Sequence, residues 1–248
     1  MELGLDGRVA LVTGASRGIG LGIAHELAAD GARVAISSRS PERIGSAAAE
    51  IGARPFVHES ADLDAAPQLL DRVEEELGPV EILVTNTGGP PAGGPLGLPL
   101  DRWEAAYRDL VLGPMALIEH AAPGMRERGF GRILNVASSA VREPMPNLVL
   151  SNAHRSAMVS AFKTLARELI ADGVTLNTLL PGRIATDRLA ELFGSLDDAE
   201  DMARKEVPAG RLGTVAEMAA AAAFLCSERA GYITGVTLLV DGGLTRSV

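Results

Sequence analysis

The chain has 248 residues, of which 47% are hydrophobic, and its formal net charge at pH 7 is −9. This length and apolar content suit one large domain with a continuous core, and we predict a single domain over residues 1–248. The acidic balance argues against nucleic acid or an anionic membrane as the main partner. We find no basic-apolar leader and no apolar run long enough to cross a bilayer, which predicts a cytoplasmic protein.

The first predicted elements are a strand, a phosphate-binding loop and a helix. The apolar run 8–12 gives way to Gly14, Gly18 and Gly20, and a helical pattern covers 19–30. Glycines allow a tight turn and let backbone N–H groups at a helix N-terminus approach a pyrophosphate. A glycine-rich turn without a ligand is the alternative, and spacing alone does not decide between the two.

The next predicted strand, 33–37, ends close to Arg39. A dinucleotide site that holds the free ribose 2′-OH of NAD places an acid roughly twenty residues past the glycine loop. Here Arg39, helped by Arg17, would instead offer a guanidinium to a 2′-phosphate. We therefore predict NADP(H) rather than NAD(H), the alternative being that Arg39 is a solvated loop charge.

Strands and helices alternate through the rest of the chain, which predicts an α/β, Rossmann-type, doubly wound parallel sheet of about seven strands with helices on both faces. The charged, irregular segment 186–210 is predicted to be a substrate lid. Gly113 and Pro114 predict one bent helix or two joined pieces over 101–126. The remaining predicted helices are 41–51, 65–77, 148–172 and 214–226, and the remaining strands are 54–59, 80–85, 132–137, 174–180 and 235–240.

Residues 13–20 (TGASRGIG) resemble the TGxxxGxG cofactor fingerprint of the short-chain dehydrogenase/reductase family. Segments 86–88 (NTG), 181–186 (PGRIAT) and 241–243 (DGG) are similar to its later landmarks and follow in the same order. The branch it most resembles is 3-oxoacyl-carrier-protein reductase, whose members form oligomers, so we expect a homodimer or homotetramer. The resemblance implies these cofactor-binding residues: Gly14, Ser16, Arg17, Gly18, Ile19, Gly20, Arg39, Asp62, Leu63, Asn86, Gly88, Pro181, Gly182 and Thr186.

Two of these residues have a more specific expectation. By the resemblance, Asp62 and Leu63 flank the adenine at the carboxyl edge of the sheet, where ligands of open parallel sheets collect. Asp64 is expected to be the N-cap of the helix 65–77.

This chain departs from the family's usual pattern at the positions of the catalytic residues. The family uses an asparagine on the first long helix, a serine after the fifth strand and a Tyr-x-x-x-Lys pair on the next helix. Ser138 matches that serine, but Ser151 stands at the tyrosine position, Arg155 at the lysine position and Leu110 at the asparagine position. Only one of the four usual side chains therefore remains.

The loss of the tyrosine removes the usual proton donor, which commonly costs a hundred- to ten-thousand-fold in rate, as an order of magnitude. Ser151 ionises far above a phenol, whereas Arg155 keeps a permanent positive charge that can still bond the nicotinamide ribose. His154 lies about sixty degrees around the helix from Ser151 and is considered as the donor. A packed or solvated histidine is the commoner case. The other histidines are His25, His58 and His120. Their positions in the sequence show no metal-ligand spacing and no acidic partner, so no metal site is predicted.

Cys226 is the only cysteine, which excludes an intrachain disulfide. It lies in the apolar helical run 218–226, where a small buried thiol is far commoner than a nucleophile.

Three functions remain open. The favoured one is an NADP(H)-dependent oxidoreductase for a small-molecule carbonyl or secondary alcohol, with Ser138 and Ser151 on the substrate oxygen and water or His154 as the proton source. The second is a catalytically silent NADP(H)-binding relative, a sensor or a partner subunit. The third is a non-redox enzyme on the same fold. The lid and the Pro/Gly-rich loop 88–99 carry no readable substrate code.

Overall fold

The structure is a computed structural model and describes residues 2–247. Within this range seven parallel strands form one sheet. Their bounds are β1 Val9–Val12, β2 Arg33–Ser38, β3 Arg54–Val57, β4 Ile82–Asn86, β5 Gly131–Val136, β6 Val174–Pro181 and β7 Thr237–Val240.

The strand order β3-β2-β1-β4-β5-β6-β7 positions the functional cleft. The chain builds the sheet outward from β1 in one direction, then returns to pair β4 beside β1 and continues in the other direction. Ligands of open parallel sheets bind at the carboxyl ends of the strands where this order reverses. The predicted doubly wound α/β fold is confirmed, and the switch point lies between β1 and β4.

The helices cover both faces of the sheet, which explains why the strands are almost entirely apolar. In β4 the side chains alternate between two cores, with Leu83 in one and Ile82 and Val84 in the other. The helix bounds are α1 Gly18–Ala29, α2 Pro41–Ile51, α3 Ala65–Leu77, α4 Leu100–Tyr107, α5 Gly113–Arg128, α6 Val149–Leu169, α7 Asp187–Phe193, α8 Leu196–Glu206 and α9 Val215–Cys226. Helices α3, α5 and α6 close the first core, and α1, α2 and α9 close the second.

The predicted helix 101–126 consists of two joined pieces. A π-helical turn, Arg108–Leu112, connects α4 to α5 with helical backbone throughout, and Pro114, which has no N–H to donate, follows in the first turn of α5. Gly113 is required because a Cβ there would clash with the Ser60 carbonyl oxygen. The π-turn therefore brings Asp109 and Ser60 into the same region.

The lid segment 186–210 is not irregular, and that part of the prediction is wrong. It contains α7 and α8, whose N-cap side chains, Thr186 and Ser195, accept hydrogen bonds from backbone N–H groups. Ala199 and Ala203 of α8 pack with Leu189 in a small core of their own. The many charges of this segment occupy the outer faces of amphipathic helices, which conceals the helical period.

Two local expectations beside the cleft are also wrong. Asp64 makes no side-chain capping bond; the Asp62 carboxylate accepts the Ala65 N–H at 3.2 Å instead. Strand β3 ends at Val57, two residues earlier than predicted. The segment 58–61 is consequently a loop along the edge of the cleft.

Candidate active site

The glycine loop between β1 and α1 depends on the close approach of β4. Gly14 and Gly18 have φ values of +58° and +60°, which L side chains rarely adopt. A Cβ on Gly14 would clash with the Asn86 carbonyl oxygen, and one on Gly20 would lie 2.6 Å from Asn86 Nδ2. The N-terminus of α1 therefore presents bare backbone N–H groups to the cleft.

Asn86 holds this loop in place. Its Nδ2 donates to the carbonyl oxygens of Gly14 at 2.9 Å and Thr13 at 3.3 Å. The Thr13 hydroxyl in turn donates to the Asn86 carbonyl oxygen at 2.9 Å. These bonds join the carboxyl ends of β1 and β4 at the switch point. The Asn86 side chain thus fixes the shape of the glycine loop by binding the loop's backbone carbonyl groups.

A cleft of about 640 Å³ runs from the glycine loop to the end of β5 and the first turns of α6. It brings together the cofactor motif and the predicted catalytic positions, which come from both ends of the chain. Of the predicted site residues, those that line this cleft are Gly14, Arg17, Gly18, Ile19, Gly20, Arg39, Asn86, Gly88, Ser138, Ser151, Arg155, Pro181, Gly182 and Thr186.

A second cavity of about 480 Å³ adjoins the first beyond the glycine loop, with Ser16 and Arg39 on its wall. Three buried polar atoms that line it lack a hydrogen-bond partner in the described part of the chain: Ser37 Oγ, Ser38 Oγ and His58 Nε2. Buried polar groups normally have partners, so this set fits a polar ligand such as an adenosine phosphate. Burial lowers the pKa of His58, which keeps its ring neutral at pH 7.

Asp62 and Leu63 do not form the wall of this cavity, contrary to expectation. Glu59 and Ser60 line it instead, because β3 ends early and Asp62 caps α3. The residues on the wall of this cavity therefore lie about three positions before the pair predicted to flank the adenine, and only the position of the strand end could have indicated them.

Sequence reasoning also missed Asp109, which lies on the π-turn and faces the second cavity. Burial raises the pKa of its carboxyl and the nearby Glu59 charge adds to this. The charges of Arg39 and Arg155 and a hydrogen bond from Ser60 act in the opposite direction. Asp109 is thus a half-buried carboxyl between the two arginines predicted for cofactor and catalysis.

Both arginines predicted to bind the 2′-phosphate have carboxylate partners. Arg17 pairs with Asp187 at 2.8 Å and with Glu191 at 3.3 Å, and the Asp187 hydrogen bond raises the pKa of its guanidinium. Arg39 Nε lies 3.8 Å from Glu59, and its side chain is 75% exposed. Exposed pairs of this kind contribute about 0–1 kcal/mol, so both guanidinium groups can exchange partners for a phosphate.

The predicted catalytic centre contains one buried cation and two hydroxyls. Arg155 donates to the carbonyl oxygens of Val136 at 2.7 Å and Gly88 at 3.3 Å, and it is buried on α6 together with Ser151. Burial lowers the Arg155 pKa to about 10, opposed by Asp109 and assisted by Arg188. The Ser138 hydroxyl accepts the Ala140 N–H at 3.2 Å. Arg155 therefore stays charged at neutral pH beside both serines.

His154 faces away from this centre. Its ring packs edge-on against Trp103 at 5.7 Å between centroids and against Tyr107 at 5.9 Å, and burial lowers its pKa. It lines neither cavity, whereas Ser151 and Arg155, four residues apart on α6, share the face that does. Leu110, at the asparagine position, is buried in the core. The geometric basis for His154 as proton donor is absent.

Other sequence expectations concern reactivity and metal binding. Cys226 is fully buried and its thiol pKa is raised by burial to about 12, as expected for an inert core thiol. Over residues 2–247 no cluster of metal-ligating side chains occurs. None of the helices in this range is long and apolar enough to cross a membrane.

The fold and the cleft define an α/β protein with a glycine-rich loop and a helix N-terminus at its switch point. A family model described as enoyl-(acyl carrier protein) reductase matches residues 14–245. The 3-oxoacyl-[acyl-carrier-protein] reductase FabG of Haemophilus influenzae is 35% identical over 243 residues, which cover 97% of this chain and 99% of that protein. The chain belongs to the short-chain dehydrogenase/reductase family.

Solved structures agree with this assignment. YwfH, an NADPH-dependent reductase of bacilysin biosynthesis, has a TM-score of 0.93 at 29% identity, covering 97% of this chain and 99% of that one. The 3-oxoacyl (acyl-carrier-protein) reductase of Agrobacterium tumefaciens with NADP bound has a TM-score of 0.91 at 31% identity, covering 98% and 96%. The relatives are thus oxidoreductases similar to ketoacyl-carrier-protein reductases.

Proposed function

We propose that the protein is an NADP(H)-dependent oxidoreductase that acts on a carbonyl or secondary alcohol. One observation carries the proposal: a single cleft joins the glycine cradle to a buried arginine flanked by two serines. One relative that is NADPH-dependent and another that is solved with NADP bound support the choice of cofactor.

The residues present fit a dinucleotide phosphate. The backbone of residues 18–20 at the start of α1 would hold the pyrophosphate, and Arg39 with Arg17 would hold the 2′-phosphate. The unpartnered hydroxyls of Ser37 and Ser38 lie on the same wall. When bound, the cofactor supplies the hydride.

The protein's own groups stabilise charge at the substrate oxygen. Ser138 and Ser151 donate hydrogen bonds to that oxygen, and the fixed charge of Arg155 favours the negative charge that develops there during reduction. The proton comes from water, because the described residues of this wall include no acid in the tyrosine's place. Proton delivery is therefore the weak step of this centre.

A catalytically silent NADP(H)-binding relative, serving as a sensor or partner subunit, is the second candidate. The observation that favours it is the replacement of three of the family's four catalytic side chains by Leu110, Ser151 and Arg155. The homodimer or homotetramer, the single domain and the cytoplasmic location stay predictions.

Two measurements on the purified full chain separate these candidates. Titration with NADPH, NADP⁺ and NADH should show binding, with the phosphorylated forms preferred; failure to bind any of them contradicts both candidates. Steady-state NADPH oxidation with a panel of ketones should show turnover. Binding without turnover across the panel would favour the silent relative.

A further inference from the structure

Two arginines from different elements meet at the substrate end of the cleft. Arg155 on α6 donates to the Gly88 carbonyl oxygen, and Arg188 on the lid helix α7 donates to the Pro90 carbonyl oxygen at 2.9 Å. A Cβ on Gly89 would lie 2.9 Å from Arg188 Nε, so this guanidinium packs directly on the loop backbone. Both cations therefore hold the segment 88–90 while lining the same cleft.

Positive charge exceeds negative charge along the cleft as a whole. Four arginines of the described residues line it, two of them at the cofactor end, against two carboxylates, Asp187 and Glu191, although the whole chain has a net charge of −9. Both carboxylates pair with Arg17, and Glu191 reaches Arg188 only at 3.4 Å through an exposed contact. Exposed pairs of this type neutralise little.

The two cations are close enough to repel each other. Arg188 disfavours the charged form of Arg155, and the charge of Asp109 favours it through space. The hydrogen bonds of Arg155 to the described residues go to carbonyl oxygens rather than to a carboxylate. Burying a charge without a direct ion pair is costly, and an anionic ligand would supply that pair. A guanidinium carries five N–H donors in a planar fork, and Arg155 uses only two in protein hydrogen bonds.

We propose that Arg155 and Arg188 bind a carboxylate of the substrate, so that the carbonyl compound is an oxo acid rather than a neutral ketone. The planar fork of a guanidinium matches a carboxylate in two parallel hydrogen bonds, which suits this anion. Leu148, Leu189 and Leu192 line the same end of the cleft and accommodate an apolar remainder. Reduction of an oxo acid rests on the proposed function, whereas binding of a carboxylate by Arg155 and Arg188 does not.

The kinetic test compares short-chain 3-oxo acids with their methyl esters, using saturating NADPH. The wild-type protein should prefer the acid, and R188Q should reduce the acid-to-ester ratio of kcat/KM by about 10- to 100-fold, as expected for charged hydrogen bonds. R188K should retain part of the preference. R204Q is the matched control, since Arg204 is an exposed arginine on α8 paired with Asp201; its ratio should equal that of the wild type.

A binding test separates failure of this inference from failure of the proposed function. Hexanoate should raise the melting temperature of the NADPH-loaded protein, hexanamide should not, and R188Q should remove the difference. If no ketone is turned over but hexanoate still binds through Arg188, only the proposed function fails. Equal effects of hexanoate and hexanamide, or an unchanged ratio in R188Q, would overturn the carboxylate site.

Discussion

The two ends of the cleft keep the family's chemistry to very different degrees. The cradle end retains the glycines at 14, 18 and 20 together with Asn86, which fastens the loop. The catalytic end retains Ser138 but holds Ser151 and Arg155 in place of a phenol and an ammonium. The fold keeps the positions of both ends, whereas the side chains of only one end are constrained.

The difference follows from what each end requires of the chain. In the cradle a single Cβ at Gly14 clashes with the backbone of β4, so substitution alters the shape of the loop itself. At the catalytic end α6 fixes where residues 151 and 155 lie whatever their side chains are. Arg155 satisfies its donors with the Val136 and Gly88 carbonyl oxygens. The catalytic end is thus free to change chemistry without loss of fold.

The largest expected effect is a gain in turnover when the family's tyrosine and lysine are restored at positions 151 and 155. The double variant Ser151→Tyr, Arg155→Lys should raise turnover of a neutral ketone on the order of a hundredfold or more, because it supplies a positioned proton donor. The cleft has room for the phenol beside Ser138. Steady-state NADPH oxidation measures the gain. S160Y is the control on the exposed side of α6 and should change nothing; absence of a gain with intact NADPH binding would contradict the missing-donor account.

A substitution in the cradle should weaken cofactor binding. An L residue at positive φ costs roughly 1–2 kcal/mol before any clash, so in G14A the loop moves away from the shape that presents its N–H groups, and NADPH affinity should fall at least about tenfold. Isothermal titration calorimetry gives the dissociation constants. G45A is the matched control, since Gly45 lies in α2 where a Cβ meets nothing within 4 Å. Equal affinities in both variants would show that the loop does not contact the cofactor.

Within the cradle, Arg39 is predicted to bind the 2′-phosphate that distinguishes NADPH from NADH. Arg39→Asp should weaken NADPH binding by about tenfold, the magnitude of a lost charge-assisted hydrogen bond, and leave NADH binding much less affected. The NADPH-to-NADH affinity ratio is the measurement, and NADH serves as the internal control. Unchanged NADPH affinity would mean that Arg39 is only a solvated charge paired with Glu59.

The smallest effect concerns Asp109, which lies between the two ends. Burial raises its pKa above the usual 3.8, so the folded state holds its proton to higher pH than the unfolded state does. The contribution of Asp109 to stability is therefore lost as pH rises from about that value through the raised pKa, and Asp109→Asn removes this pH-dependent loss. The melting temperature of the cofactor-free variant should exceed that of the wild type more at pH 7 than at pH 4.

Asp64→Asn is the control for that comparison. Asp64 is exposed and its side chain caps nothing, so this variant makes the same change of residue type without removing a buried carboxyl. A melting-temperature difference for Asp109→Asn that is the same at both pH values would contradict a buried, proton-holding Asp109.

The sequence by itself determined the features that depend on neighbouring residues. Glycine spacing and the resemblance to the family predicted the cradle at 14–20, hydrophobic periodicity predicted the strands and helices along the chain, and the family's spacing from Ser138 indicated that the tyrosine and lysine are missing. These features are local because backbone conformation and helix register act over a few residues. The sequence did not reveal the two helices of the predicted lid, α7 and α8, because their charged outer faces conceal a small apolar core at Ala199 and Ala203.

Only the tertiary structure decided which side chains meet across the cleft. It packed His154 against Trp103, placed Glu59 rather than Asp62 on the wall of the second cavity, and placed Arg188 in the same cleft as Arg155. Each contact joins residues that are distant in the chain or depends on where a strand or helix ends by one or two residues. Such contacts follow from how layers pack, and no pattern within a single segment specifies them.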